Sequence, residues 1–130
     1  MEIYRKKLAE PLKLEIRSVG ENELRFDWLE FVTHHSQDCC ESVYWDFEEI
    51  NVEQILQLHT IEEVSISTEK DAWFTIFFYP LDPRKDRHWV FVPCRNIQNW
   101  YYSSDLSLEI YVGGICDSFD ISDTCNDDIN

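Results

Sequence analysis

The sequence predicts an α+β fold built mainly from a twisted antiparallel β-sheet of seven or eight strands, with one short helix. Apolar and polar residues alternate along several segments, most cleanly over residues 106–112, and a period of two is typical of half-buried strands. Aromatic residues make up 15% of the chain, and aromatic side chains favour strands. Gly113 and Gly114 separate two alternating segments, which indicates a tight hairpin because primed turns need a positive φ.

The first half of the chain predicts strands joined by a turn. Residues 12–17 and 24–28 alternate on either side of the turn signal Gly20-Glu21-Asn22, so we expect them to pair as a hairpin. A further strand is expected over residues 43–47. Asn51 is a suitable N-cap for a short helix over residues 52–58.

The second half predicts the centre of the sheet. Residues 72–79 are almost continuously apolar, which indicates a central strand. Pro93 is expected to end a short strand that begins at Trp89. The other strands are expected at residues 61–67, 106–112 and 115–121. With no repeat or linker, residues 1–130 should form a single domain, ending in a frayed acidic tail at 123–130.

Charge is distributed unevenly along the chain. The net charge is −15, with 26 acidic against 11 basic residues. No Lys or Arg lies between Phe26 and Glu69, or after Arg95. Such segregation predicts a negative surface that steers basic partners, and it argues against direct binding to nucleic acid or an anionic membrane. Solubility alone is an equally good explanation of the acidity.

The five cysteines predict a reducing compartment. Their number is odd and Cys39-Cys40 is vicinal, so free thiols in the cytoplasm, of a bacterium or an infected host cell, are the simplest interpretation. The pattern of a signal peptide is not seen, and no apolar run reaches the ~20 residues that a membrane span needs.

The segment from His34 to Ser42 concentrates imidazoles, thiols and carboxylates. A metal site would use these side chains: His34, His35, Asp38, Cys39, Cys40 and Glu41. Strand alternation would place the two thiols on opposite faces, whereas zinc sites usually separate paired Cys by two to four residues. Catalysis by a Cys–His pair needs a stabilised thiolate, which the surrounding acids oppose. A structural role at the start of a strand is therefore favoured, and neither a cofactor nor an enzymatic activity is expected.

This segment also carries a resemblance. The pattern His34/His35-x-x-Asp38-Cys39-Cys40-Glu41-Ser42-Val43 resembles a motif of small uncharacterised proteins that are frequent in bacteriophage and other mobile-element genomes. Ile61-Glu62-Glu63-Val64, the strand at Trp73 and the hairpin at Gly113-Gly114 are similar to later parts of that family. The resemblance implies a phage or mobile-element origin and carries no catalytic or binding residues over to this chain.

Together these features favour a non-enzymatic acidic binding protein. It would cover a basic surface of a nucleic-acid-handling protein, as an inhibitor of a host defence nuclease, an anti-CRISPR-like protein or a toxin immunity protein would do. The expected contacts are acids from the base-poor windows and an aromatic cluster that suits a protein interface. They are Asp46, Glu48, Glu49, Glu53, Glu62, Glu63, Asp117, Asp120, Trp100, Tyr101 and Tyr102. The alternatives are a metal-dependent structural or hydrolytic protein, using the His34–Glu41 segment, and a structural protein that self-associates through Trp100–Tyr102.

Overall fold

Ten β-strands and one short α-helix make up the part of the chain that the computed structural model describes, which is residues 1–35, 42–45, 47–69, 73–98 and 106–121. The first five strands are β1 (Glu2–Lys13), β2 (Ser18–Val19), β3 (Glu23–Arg25), β4 (Leu29–His35) and β5 (Ser42–Trp45). The others are β6 (Thr60–Glu69), β7 (Trp73–Pro80), β8 (His88–Gln98), β9 (Leu106–Val112) and β10 (Ile115–Asp120). A 3₁₀ turn at Phe47–Glu49 precedes the helix α1 (Val52–Leu56).

The strands form two five-stranded sheets. Sheet one has the order β1-β6-β7-β8-β5 and sheet two has the order β10-β9-β4-β3-β2. Each pair of neighbouring strands is antiparallel. The prediction of a mainly antiparallel α+β fold with one short α-helix is therefore confirmed.

The two sheets share one hydrophobic core between their inner faces. Phe78 of β7 is fully buried, and its ring makes edge contacts with Phe26 and Phe31 on the sheet-two side, at centroid distances of 5.9 and 6.1 Å. Ile110 of β9 is buried in the same cluster, as is Val92 of β8. Because both inner faces are largely apolar, most polar side chains on the strands are directed to the two outer faces, while Thr33 of β4 is buried on the inner side.

Two local sequence signals are confirmed. The Asn51 side chain accepts a hydrogen bond from the Gln54 backbone N–H at 3.2 Å, as expected of an N-cap, and Ile55 of α1 is buried. Gly113 and Gly114 both have positive φ, 59° and 86°, between the paired strands β9 and β10. Both positions therefore use the left-handed backbone that glycine adopts without steric cost.

Other elements differ from the prediction. The predicted hairpin around Gly20-Glu21-Asn22 is present but short: β2 pairs with β3, and the Arg17 N–H donates to the Arg25 carbonyl at 2.8 Å. Leu12 and Lys13 do not take part, because they belong to β1, which begins at Glu2 and pairs with β6. Pro93 does not end its strand, which runs on to Gln98. Pro93 lies opposite Trp73, the first residue of β7, and pairing of β8 with β5 begins only at Cys94. Proline has no backbone N–H to donate, and this is tolerated at Pro93 because the residue lies at the end of one strand pairing and before the start of the next.

The number of strands also exceeds the predicted seven or eight. Half of the residues of β1 are charged, and β2 and β3 are too short to show a clear period. The predicted tail at 123–130 lies outside the described residues. Where the structure describes the chain, no helix is long and apolar enough to cross a membrane.

Candidate functional site

Sheet two presents a polar outer surface that carries four acids on four neighbouring strands. We name this set the acidic face: Glu23, Glu30, Glu109 and Asp120. Glu23 lies opposite Val32, and Val32 in turn lies opposite Glu109, so these two acids are separated by one strand. Strands lie ~4.8 Å apart, which places the two backbones ~10 Å from each other.

The other two acids extend the surface on both sides. Glu30 of β4 lies between Arg25 of β3 and Tyr111 of β9, and Asp120 of β10 lies opposite Ser107. Arg25 is exposed and is the one Lys or Arg on the strands of this surface, within the described residues. Alternation explains the arrangement, since residues next to buried Leu108 and Ile110 must face outward.

Glu109 is the centre of a hydrogen-bonded group on the acidic face. Its carboxylate accepts hydrogen bonds from the Tyr111 hydroxyl at 3.0 Å and the Cys116 thiol at 3.3 Å, and the His34 imidazole Nε2 contacts the other oxygen. The hydrogen bond from Cys116, supported by that from Tyr111, lowers the pKa of Glu109. The carboxylate therefore stays charged and is held in place by three side chains from three strands.

This group does not form a nucleophilic centre. Partial removal from water, followed by the hydrogen bond to Glu109, raises the pKa of the Cys116 thiol. The hydrogen bond to the same carboxylate raises the pKa of Tyr111 to about 12. Both groups keep their protons at neutral pH, and a protonated thiol is a poor nucleophile. The arrangement favours a fixed negative charge rather than covalent catalysis.

Sheet one differs in charge, because the bases of β1 lie beside the acids of β6. The Arg5 guanidinium donates two hydrogen bonds to the Glu63 carboxylate, at 2.9 and 3.1 Å, and lies over the Tyr79 ring with its central carbon 4.7 Å from the ring centre. Lys7 lies directly opposite Glu63 in the strand pair. Charges that are segregated along the sequence are thus brought together here by strand pairing.

The Arg5–Glu63 pair predicts a pH-dependent contribution to stability. Hydrogen bonding by Arg5 lowers the pKa of Glu63, so the contribution is complete above the ordinary glutamate pKa, about 4.3. It is lost as the pH falls through the lower pKa of the folded protein. We expect Arg5→Met to reduce the free energy of unfolding only slightly at pH 7, since water screens this partly exposed pair, and to have little effect below pH ~3.

Urea unfolding of both proteins across this pH range measures the difference. Glu63→Gln provides the matched background, because its amide cannot ionise. The effect of Arg5→Met should there depend much less on pH, since among the described residues only the 3.5 Å contact of Arg5 with the Glu2 carboxylate remains. This assignment would be contradicted if, with Glu63 unchanged, Arg5→Met altered the free energy of unfolding by the same amount at every pH.

The structure separates the acids that were predicted to contact a partner. Glu48 and Glu53 are exposed on the 3₁₀ turn and α1, and Glu62 occupies the irregularity in β6 between Ile61 and Glu63. A second set of predicted contacts has no described side chain: Asp46, Glu49, Trp100, Tyr101 and Tyr102.

Asp117 and Asp120 project from opposite faces of β10. Phe119 packs against Tyr4 of β1 at a ring distance of 5.3 Å, on the core side of the strand, and Asp117 shares that side by alternation. Desolvation, with a smaller effect of the Asp117 charge, raises the pKa of Tyr4 to about 12. Of the predicted contacts whose side chains the structure describes, only Asp120 therefore lies on the acidic face.

The proposed metal ligands lie mostly outside the described residues. This applies to Asp38, Cys39, Cys40, Glu41 and the side chain of His35, whereas His34 is described and contacts Glu109. Among the described residues, no group of three or more His, Cys, Asp or Glu side chains could hold a metal ion.

Comparisons with known proteins add no relative. No family model, curated protein or solved structure matches this chain.

The acidic face itself could have been suspected from the sequence, because Glu109 occupies an outward position in the clean alternation of residues 106–112. Its neighbours on β4 and β10 depend on strand order, which alternation does not reveal.

Proposed function

We propose that this protein is a non-enzymatic acidic binding protein that covers a basic surface of a nucleic-acid-handling protein. The observation that carries the proposal is the acidic face, where four acids lie on adjacent strands with one arginine among them. A net charge of −15 adds long-range attraction to a basic partner. A sheet face is also relatively rigid, so the charges need little reorganisation on binding.

The hydrogen bonds around Glu109 support this function. Three neighbouring side chains orient its carboxylate, and fixed charges contribute to the specificity and association rate of protein complexes. The acidic face replaces the wider set of contacts expected from sequence. Glu63 is engaged by Arg5, and Asp117 lies on the core side of β10.

Charge density limits what the face can imitate. Duplex DNA carries one charge per ~1.7 Å of its axis, whereas acids on adjacent strands of the acidic face, such as Glu30 and Glu109, are diagonal neighbours roughly 7–8 Å apart. The face therefore suits a basic protein surface that is steered into contact, rather than a channel that grips a continuous row of phosphates. We further propose a cytoplasmic location and a phage or mobile-element origin, supported by the exposed free thiol of Cys116 and the motif at Asp38–Val43.

Competition with nucleic acid tests the proposal. A panel of purified nucleases and other basic nucleic-acid-binding proteins is titrated with the full chain, and displacement of a labelled DNA from each is followed by fluorescence anisotropy. We expect displacement from at least one of them at low salt, and weaker displacement as salt is raised, because charge attraction is screened. Failure to bind any protein of the panel, or binding that leaves the bound DNA in place, would count against the proposal.

A further inference from the structure

A groove of about 760 Å³ lies between α1 and the loop that joins β7 to β8, two strands of sheet one. Gln54 and Gln57 line it from the helix side, and Lys85, Arg87 and Trp89 line it from the loop and the start of β8. Its volume falls in the range of small-molecule sites. The groove therefore has the size for a ligand that contains one heterocyclic base.

Trp89 provides a planar surface in this groove. Its side chain is 48% exposed although the residue belongs to a central strand pair, and its ring stacks with that of His88 at a centroid distance of 6.4 Å and an angle of 25°. Burial lowers the pKa of His88, so this imidazole is neutral at pH 7. An exposed indole supported by a second ring is a suitable platform for stacking a planar base.

Two cations stand beside this platform. The Arg87 guanidinium carbon lies 5.3 Å from the centre of the Phe77 ring, a contact that holds the planar group while leaving its N–H donors available. Lys85 donates a hydrogen bond from its ammonium to the Gln57 carbonyl, which ties the loop to the end of α1. The ammonium has three donors, so two remain for an anion. Asp86 is the one carboxylate among the described residues that line the groove.

We propose that this groove binds a nucleoside monophosphate, with the base stacked on Trp89 and the phosphate held by Arg87 and Lys85. The Gln54 amide, with both donor and acceptor atoms, lies on the same lining and suits the edge of a base. Attraction in the groove is local, because charges elsewhere are screened beyond ~8 Å at physiological salt. The net charge of −15 opposes a long polyanion, which is why a single nucleotide fits better than a nucleic acid strand.

Isothermal titration calorimetry on the full chain tests this proposal. The probes are the four ribonucleoside 5′-monophosphates, inorganic phosphate, and a single-stranded oligonucleotide of about ten residues, close to the site size of single-strand binders. We expect saturable binding of at least one monophosphate that is tighter than that of phosphate. Arg87→Gln and Trp89→Leu should each weaken it roughly tenfold, since each removes one of the two recognition elements.

Lys7→Gln is the charge-matched control, because Lys7 is exposed on β1 and does not line the groove, and it should bind the monophosphate as the unchanged protein does. Circular dichroism confirms that each variant is folded, and Arg87→Gln, which changes an exposed side chain, keeps the test valid if Trp89→Leu unfolds. Lack of saturable binding, equal affinity in the Arg87 and Lys7 variants, or binding of the oligonucleotide without any monophosphate would each overturn the proposal. None of these variants changes a residue of the acidic face, so the two proposals can fail separately.

Discussion

Replacing Phe78 with alanine should lower the free energy of unfolding by about 3–5 kcal/mol. The ring of Phe78 is fully buried and makes edge contacts with Phe26 and Phe31. Alanine removes both aromatic contacts and leaves a cavity between the two sheets. The neighbouring strands can close this cavity only in part, because each is held by hydrogen bonds on both sides. Because small domains are stable by only ~5–15 kcal/mol, the loss is a large part of the total.

Urea unfolding at pH 7, followed by circular dichroism, measures this effect. Phe91→Ala is the matched control, since it removes the same ring from a side chain that is 49% exposed on the outer face of sheet one. We expect the control to lose about 1 kcal/mol. If the two substitutions cost the same, the sheets do not share the core described above.

Local signals were sufficient for some elements. Alternation over Leu106–Val112 predicts β9, and Gly113-Gly114 predicts the turn into β10, because each depends only on residues close in the chain. Asn51 likewise predicts the start of α1. Pairing between distant segments was not predictable in this way. β1 lies beside β6, and nothing within residues 2–13 specifies that partner.

The candidate site was likewise predictable only where it depends on local sequence, and not where it depends on the pairing of distant strands. The outward position of Glu109 follows from alternation, but its contacts with His34 and Cys116 require the order β10-β9-β4. The segments without Lys or Arg do not form a single acidic surface, because strand pairing places Arg5 of β1 against Glu63 of β6. Charge along a β chain therefore predicts net attraction to a partner, while the sheet order decides which acids act together.

Reversing charge on the acidic face should weaken binding to a basic partner by at least about tenfold. Glu30→Lys combined with Asp120→Lys places two positive charges where the partner is expected to be positive. Both residues lie on the outer surface of sheet two, so the core is not altered. Glu10→Lys combined with Glu53→Lys makes the same change elsewhere, on exposed positions of β1 and α1.

In each double variant, two acid-to-lysine changes remove two negative charges and add two positive ones, which brings the net charge from −15 to −11. The loss of long-range attraction is therefore the same in both, and any difference in affinity reports contacts at the acidic face itself.

The most direct measurement is the dissociation constant of the partner identified by DNA displacement, determined side by side for the unchanged protein and the two double variants at low salt. We predict a loss of tenfold or more for Glu30→Lys/Asp120→Lys, and a change within about twofold for Glu10→Lys/Glu53→Lys. Equal losses in the two double variants would contradict a specific role of the acidic face.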